Sequence, residues 1–176
     1  MYPVIRLLTT LVHSHYRPAL TLDAVDEIHF YCRPWDLDFF GEMNNGRVLT
    51  LYDLGRFSLA VRTGLGRVLR EKRWGLAVAG SAIRYRQRVH LFNRVSLRTR
   101  VLGVDERWFY IEQSMWVRGQ PASSVVMRTC VTEKGRMLPA ARVLKAMQVA
   151  DQAFPLPAWA AGMFAAASQR PWPPEI

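Results

Sequence analysis

The stretch from Asn44 or Asn45 to Arg62 most constrains how this chain folds. As a helix it is apolar on nearly every side, because Val48, Leu51 and Leu59 share one stripe and further leucines, a valine and a phenylalanine lie around the rest. A helix that is apolar all round is buried, not exposed. Since one helix cannot bury itself, the remaining chain must supply a sheet that encloses it.

The segments on either side of this helix alternate between apolar and polar residues, which is typical of strands. One precedes the helix and stops before a proline, and four follow it with turn residues between them. The predicted strands are Val25–Cys32, Leu76–Arg88, Val95–Val101, Phe109–Val117 and Val125–Val131. This order predicts an α+β hotdog fold, in which a curved antiparallel five-stranded sheet wraps around a long central helix.

The length of 176 residues suits one domain, which we place at residues 23–138. Residues 1–22 form an N-terminal extension in which Val4, Leu7 and Leu11 recur at helical spacing. This predicts an amphipathic helix that packs on the domain or, alternatively, makes a weak peripheral contact with a membrane. Residues 139–176 are predicted to hold a helix, Ala140–Ala150, and a tail rich in proline and alanine that docks or stays loose. A secretory leader is not expected.

The formal charge of +10 suits a nucleic acid, an anionic membrane or a phosphate-rich small ligand. No helix-turn-helix or zinc pattern accompanies this charge, so nucleic acid is not the expected partner. Cys32 and Cys130 lie in apolar stretches without metal-ligand spacing. They predict two buried thiols, no metal site and a reducing, cytoplasmic environment.

The segment before the central helix carries the most informative chemistry. Asp38 lies a few residues before the helix start at Asn44 and Asn45. The first amides of a helix are unpaired and carry a positive dipole, so they suit the oxyanion that forms when an acyl carbonyl is attacked. Asp38 is then a candidate general base or nucleophile. The alternative for Asp38 is a loop or helix cap, and a turn or surface role is expected for Asp36.

The run Trp35–Leu49 resembles the signature of the 4-hydroxybenzoyl-CoA thioesterase type of hotdog protein. The similarity is greatest to the group of thioesterase superfamily member six and extends over roughly residues 25–135. It implies an acyl-CoA or acyl-carrier-protein thioesterase that needs no cofactor and works as a homodimer or homotetramer with its site between subunits. It also implies that Asp38 is catalytic, that the backbone N–H of Asn45 polarises the carbonyl, and that Gly41 and Asn44 contact the substrate.

Glu42 and Val48 depart from this signature, which usually has His and Tyr at these positions. If Glu42 lies close to Asp38, the pKa of one of the two carboxyl groups is expected to be raised. The departures favour an alternative function, a catalytically inactive hotdog protein that binds acyl-thioesters.

Asp53 lies three residues before Arg56, where an intrahelical ion pair is expected. Because some hotdog enzymes carry their carboxylate on this helix, Asp53 is a distant catalytic alternative.

The alternation in Leu76–Arg88 predicts one face made of Ala77, Ala79, Ser81, Ile83 and Tyr85, and another that ends in Arg84, Arg86 and Arg88. Arg84 and Arg86 are candidate substrate-binding residues, because guanidinium groups suit the phosphates of CoA. The alternative for these arginines is a solvated basic face.

Overall fold

The structure, a computed structural model, describes residues 2–150, 152–169, 171 and 173. Its helices are α1 (Val4–His15), α2 (Asn45–Arg62), α3 (Leu65–Lys72), α4 (Ala140–Ala146) and α5 (Ala158–Ser168), with a short 3-10 turn at Pro34–Asp36. Its strands are β1 (Asp26–Tyr31), β2 (Gly75–Tyr85), β3 (Arg94–Val104), β4 (Phe109–Val117), β5 (Gln120–Glu133) and β6 (Arg136–Met137).

All strands pair antiparallel in the order β1-β3-β4-β5-β2, and the two-residue β6 pairs with the end of β5. The predicted five strands are therefore present, and β6 is a small addition that the sequence did not reveal. The sheet curls around α2, whose Leu51, Tyr52 and Leu54 are almost completely buried. At the end of α2, the buried Arg62 donates to Asp26 of β1 and to the Pro18 carbonyl oxygen. The hotdog fold is confirmed.

Gly55 lets α2 lie directly against the sheet. A Cβ at this position would meet the side chain of Thr99, the Nε2 of Gln113 at 2.8 Å and the Cδ2 of Leu97 at 3.1 Å. We expect Gly55→Ala to lower the free energy of unfolding by about 2 kcal/mol in urea denaturation, because overpacking of a core outweighs the better helix propensity of Ala. Gly162→Ala in α5, where a Cβ meets nothing within 4 Å, should instead be neutral or stabilising; equal losses in both variants would contradict this packing.

The faces of β2 differ from the prediction because the strand contains a β-bulge. Its pairing with β5 shifts register between Val78 and Gly80, where β2 has one extra residue. This extra residue reverses the alternation of the β2 residues that precede the bulge. The residues facing α2 are therefore Leu76, Val78, Ser81 and Ile83, which pair with Val131, Thr129, Met127 and Val125 of β5. The prediction that Ala77 and Ala79 share one face with Ser81 and Ile83 was wrong for that reason.

The N-terminal helix α1 packs on α2, as favoured from the sequence. The hydroxyl oxygens of Ser14 and Ser58 lie 2.7 Å apart in this contact, and both residues are buried. The opposite side of α1 leaves Val4, Ile5, Leu8 and Val12 exposed. Within the described part of the chain, no helix has the length and apolar character needed to cross a bilayer.

The C-terminal segment docks on its own domain. Helix α4 ends at Ala146, four residues earlier than predicted, because Gln148 adopts a φ of 63° that is incompatible with a continuing helix. Helix α5 then covers the outer face of the sheet, where the ring of Phe164 lies 5.5 Å from that of Tyr110. The amide of Val104 also donates to the carbonyl of Phe154 at 2.8 Å, which ties the tail to β3.

Candidate functional site

Residues 37–43 form a tight turn directly before α2, which we call the Asp38 turn. Leu37 and Met43 pair as an isolated bridge, and the amide of Asp38 donates to the carbonyl of Glu42 at 2.8 Å. The amide of Gly41 donates back to the carbonyl of Asp38 at 3.1 Å. Gly41 has a φ of 73°, a conformation that favours glycine. The geometry of the turn therefore accounts for a glycine at this position of the predicted site.

At the start of α2, one amide has no acceptor among the residues that the structure describes. The Oδ1 of Asn44, the N-cap, accepts from the amides of Gly46 at 2.9 Å and Arg47 at 3.2 Å. Among the described residues, no oxygen accepts from the amide of Asn45, the first residue of the helix. This amide lies at the positive end of the helix dipole and beside solvent, so it can donate to a carbonyl oxygen of a ligand.

Asp38 both ties its own turn and keeps one oxygen available. Its Oδ1 accepts from the amides of Phe40 at 2.8 Å and Glu42 at 3.4 Å. No described residue donates to its Oδ2, and the side chain is half-buried. Oδ1 therefore caps the loop, and Oδ2 is the oxygen that can take a chemical role. The two interpretations of Asp38 do not exclude each other.

The negative charge of Glu42, near Asp38 in the chain, is compensated by an ion pair. Its carboxylate pairs with the Nε of Arg88 at 3.0 Å, and its backbone pairs with His90. The ion pair draws the Glu42 side chain toward the loop that follows β2. The residue that replaces the usual His thus has a structural partner of its own.

Asp36 holds the site together, and its burial was missed from the sequence. Its side chain is 0% exposed. Its Oδ2 accepts from Arg6 at 2.7 Å and from the amide of Arg33 at 2.9 Å. Its Oδ1 lies 3.1 Å from the Nε of Arg47. Its carbonyl also accepts from the amide of Asn44 at 2.9 Å. The expected turn role is confirmed, but the surface location was wrong. A sequence signal exists, since Pro34 at the start of a turn followed two residues later by Asp is a capping pattern.

The predicted arginine face is only partly present. Arg84 lies in β2, but the strand ends at Tyr85, so Arg86 and Arg88 belong to a loop instead. The chain leaves the ladder there, because the amides of Arg86 and Gln87 both donate to the Ala122 carbonyl, at 2.8 and 3.0 Å. Arg84 and Arg86 are both exposed, and no described residue forms an ion pair with either.

Asp53 forms the expected ion pair with Arg56 on α2. Tyr2 donates to Asp53 at 3.2 Å, and Arg56 donates to the Oε1 of Gln113 at 2.8 Å. Burial lowers the pKa of Arg56 to about 10. These contacts occupy Asp53 within a structural network, which favours the ion-pair interpretation over a catalytic one.

A cavity of about 270 Å³, which we call the apolar cavity, lies beside this network, between the second half of α2 and the sheet. Its lining includes Arg56, Phe57, Leu76, Val78, Ile111 and Val131. The Asp38 turn is not part of the lining, because it lies at the opposite end of α2.

Comparison with known proteins identifies the family. The model of the thioesterase-like superfamily matches residues 32–164, which is about three quarters of the chain. The chain belongs to this superfamily.

Among curated proteins it is similar to Protein THEM6 of Xenopus laevis, with 40% identity over 80 residues that cover 46% of this chain and 39% of that protein. Protein THEM6 of Danio rerio is 37% identical over 92 residues, which cover 52% and 46% of the two chains. Each match thus spans less than half of the relative's length.

Several solved structures with the same fold are thioesterases by name. The probable thioesterase YbaW from Escherichia coli superposes with a TM-score of 0.64 at 13% identity, covering 72% of this chain and 98% of that one. A thioesterase from Thermus thermophilus, complexed with coenzyme A and Zn, gives a TM-score of 0.62 at 20% identity and covers 74% and 96%. At such identities these likenesses establish the hotdog fold of this superfamily member and leave its substrate to be inferred.

Proposed function

We propose that this protein hydrolyses the thioester of an acyl-CoA or an acyl-carrier protein, with the Asp38 turn and the start of α2 as its site. The observation that carries the proposal is the unused Asn45 amide at the helix end, a few residues after a carboxylate with a free oxygen. Membership of the thioesterase-like superfamily supports it. A fold neighbour complexed with coenzyme A supports a CoA thioester in particular.

The proposed reaction uses only groups of this chain and water. The thioester oxygen accepts a hydrogen bond from the Asn45 amide, which stabilises the negative charge that develops there. Asp38 either removes a proton from the attacking water or attacks the carbonyl carbon itself, forming an anhydride that water then cleaves. In both routes the C–S bond breaks, the thiolate takes up a proton, and water supplies the oxygen of the free acid. No cofactor is required.

We also propose that the active form is a homodimer joined along β2. This strand has 11 residues and ends the sheet, with no described strand on its outer side. Its Leu76 and Val78 are 50% and 54% exposed. A long edge strand with exposed apolar residues is expected to pair with another strand. A homotetramer of two such dimers is compatible with the same edge contact.

The direct test is the release of free thiol from a panel of acyl-CoAs that differ in chain length. We expect sustained turnover with at least one member and a carboxylic acid as the second product. A hydrolase with the family's site should far exceed spontaneous hydrolysis, because one oxyanion donor alone contributes about a hundredfold or more in acyl transfer. Saturable binding of acyl-CoA without thiol release from any chain would contradict hydrolysis.

Two observations favour a second function, a non-catalytic acyl-thioester binder. The Oδ1 of Asp38 is engaged by its own turn, and Glu42 and Val48 replace the usual His and Tyr. In that case the Asn45 amide holds the thioester and no bond is broken. The acyl-CoA panel separates the two functions, because only the enzyme releases thiol.

The exposed arginines support recognition of the CoA phosphates. We expect the double variant Arg84→Gln, Arg86→Gln to raise KM for acyl-CoA about tenfold with little change in kcat, since hydrogen bonds to charged groups contribute roughly 1.5–3 kcal/mol. The matched control is Arg100→Gln, which changes an exposed arginine already paired with Glu112. An equal rise of KM in the control would assign the effect to general charge and not to a phosphate site.

The two cysteines support a reducing, cytoplasmic location. Cys32 and Cys130 are both buried free thiols, and burial raises the pKa of Cys32 to about 11. Such thiols persist where disulfides are kept reduced. A weak membrane contact through the exposed side of α1 remains part of the proposal, and binding of the protein to anionic vesicles tests it.

A further inference from the structure

Phe39 and Phe40, at the tip of the Asp38 turn, contact each other but pack on no surface formed by the described residues of their own protomer. They are 95% and 80% exposed, and their rings touch each other with centroids 5.6 Å apart. Burying one phenylalanine contributes about 1.5–3 kcal/mol, so two adjacent exposed rings on a tight turn indicate a contact surface.

The apolar cavity offers a matching surface at the other end of α2. Its mouth is formed in part by Leu76 and Val78, which are half-exposed at the free edge of β2. An apolar cavity of about 150 Å³ is large enough to bind benzene. A volume of about 270 Å³ therefore suits an apolar group nearly twice that size, such as a medium-length acyl chain.

The symmetry of a β2-joined dimer brings these two features together. Two copies that extend one continuous sheet, with their helices on the same face, must pair β2 antiparallel around a two-fold axis. Within one protomer, the Tyr85 end of β2 lies at the helix start, since the Tyr85 hydroxyl is 3.5 Å from the Asn45 carbonyl oxygen. The other end of β2 lies at the cavity. Antiparallel pairing about Gly80 thus sets the helix start of one copy against the cavity mouth of the other.

We infer that Phe39 and Phe40 of one protomer close the partner's apolar cavity and form a wall of the acyl-chain site. The site is then incomplete in a single chain, and the two rings determine which acyl chains fit. The inference rests on the proposed function for the identity of the ligand, whereas the contact between the protomers stands independently of it.

The contact is tested by disulfide formation between differently tagged, co-expressed chains, one carrying Phe39→Cys and the other Leu76→Cys. We expect the oxidised heterodimer to run as one covalent species on a denaturing gel. The buried native thiols give little background. The control pairs Phe39→Cys with Gln87→Cys, an exposed position at the Tyr85 end of β2 that antiparallel pairing keeps roughly 30 Å away. A dimer that links 39 to 87, or that never links 39 to 76, overturns the inference.

The role in selectivity is tested with Phe39→Ala, Phe40→Ala. We expect kcat/KM for acyl chains two carbons longer than the best wild-type substrate to rise about tenfold relative to that substrate, because methylene discrimination in such pockets is of that order. An unchanged chain-length profile in this variant would overturn the inference. If the variant instead lost binding to anionic phospholipid vesicles, the two phenylalanines would contact a membrane and the inference would again be wrong. If the Phe39→Cys and Leu76→Cys chains link but the wild-type protein releases no thiol, the proposed function is refuted while the contact stands.

Discussion

Replacing Asp38 with Asn is expected to lower the kcat of thioester hydrolysis by about a thousandfold while the protein stays folded and binds acyl-CoA. A positioned general base typically contributes 10²–10⁴-fold, and the uncharged amide neither accepts a proton from water nor attacks the carbonyl. The fold is preserved because the Oδ1 of Asn can still accept from the Phe40 amide, as Asp38 does at 2.8 Å. The measurement is thiol release by wild type and variant over the acyl-CoA panel, with circular dichroism and acyl-CoA affinity measured in parallel.

Asp105 supplies a matched control for this variant. Its Oδ1 also caps its own turn, accepting from the amides of Arg107 at 2.8 Å and Trp108 at 2.7 Å, but it lies at a turn between β3 and β4 that has no part in the site. Asp105→Asn should keep kcat within about twofold of wild type. If Asp38→Asn behaves like Asp105→Asn, Asp38 is only a turn cap and the assignment of a chemical role to it is wrong.

The largest effect on stability is expected for Asp36→Ala. The carboxylate is fully buried and faces Arg6 and Arg47, whose side chains are 17% and 13% exposed. Removing one partner of a buried ion pair leaves the other charge uncompensated, which typically costs 3–5 kcal/mol. We expect a loss of about that size in the free energy of unfolding, measured in urea at fixed protomer concentration because association contributes to apparent stability.

The control for this variant is an exposed pair. Glu112 accepts from the Nε of Arg100 at 2.8 Å on the outer side of β4, with both partners partly exposed. Glu112→Ala should cost less than about 1 kcal/mol, as surface ion pairs usually do. A loss for Asp36→Ala as small as this would mean that Asp36 does not anchor α1 and α2 to the Asp38 turn.

The sequence predicted the elements whose patterns are dictated by burial. Helix α2 was placed to within a residue, because its apolar side chains had to be enclosed and Asn44 is a strong N-cap. Strand β4 was placed with its correct ends, since turn residues flank it on both sides. The hotdog fold then followed, because one enclosed helix followed by four strands leaves few ways of packing.

Other features depend on contacts between segments far apart in the chain. The bulge at Val78–Gly80 is not visible in an alternation that looks continuous, so Ala77 and Ala79 were grouped with the wrong face of β2. The end of the strand at Tyr85 depends on the Ala122 carbonyl, which lies on another strand. The burial of Asp36 depends on Arg6, thirty residues earlier. Periodicity reports only which side a residue faces, not which partner it finds there.

The motif proposes the residues of the candidate site, but it does not predict their bonding. The motif named Asp38, Asn44 and Asn45, and the structure places them within one turn and one helix start. The Asn44 side chain accepts from the amides of Gly46 and Arg47, and no described residue accepts from that of Asn45; this depends on side-chain geometry. That Glu42 is compensated by Arg88 likewise depends on where the loop after β2 runs.

The most direct test is a crystal structure of the Asp38→Asn dimer with an intact acyl-CoA bound. Our interpretation predicts the thioester oxygen about 3 Å from the Asn45 nitrogen, with residue 38 facing the carbonyl carbon. A thioester bound away from the start of α2, with the Asn45 amide still open to water, would contradict it.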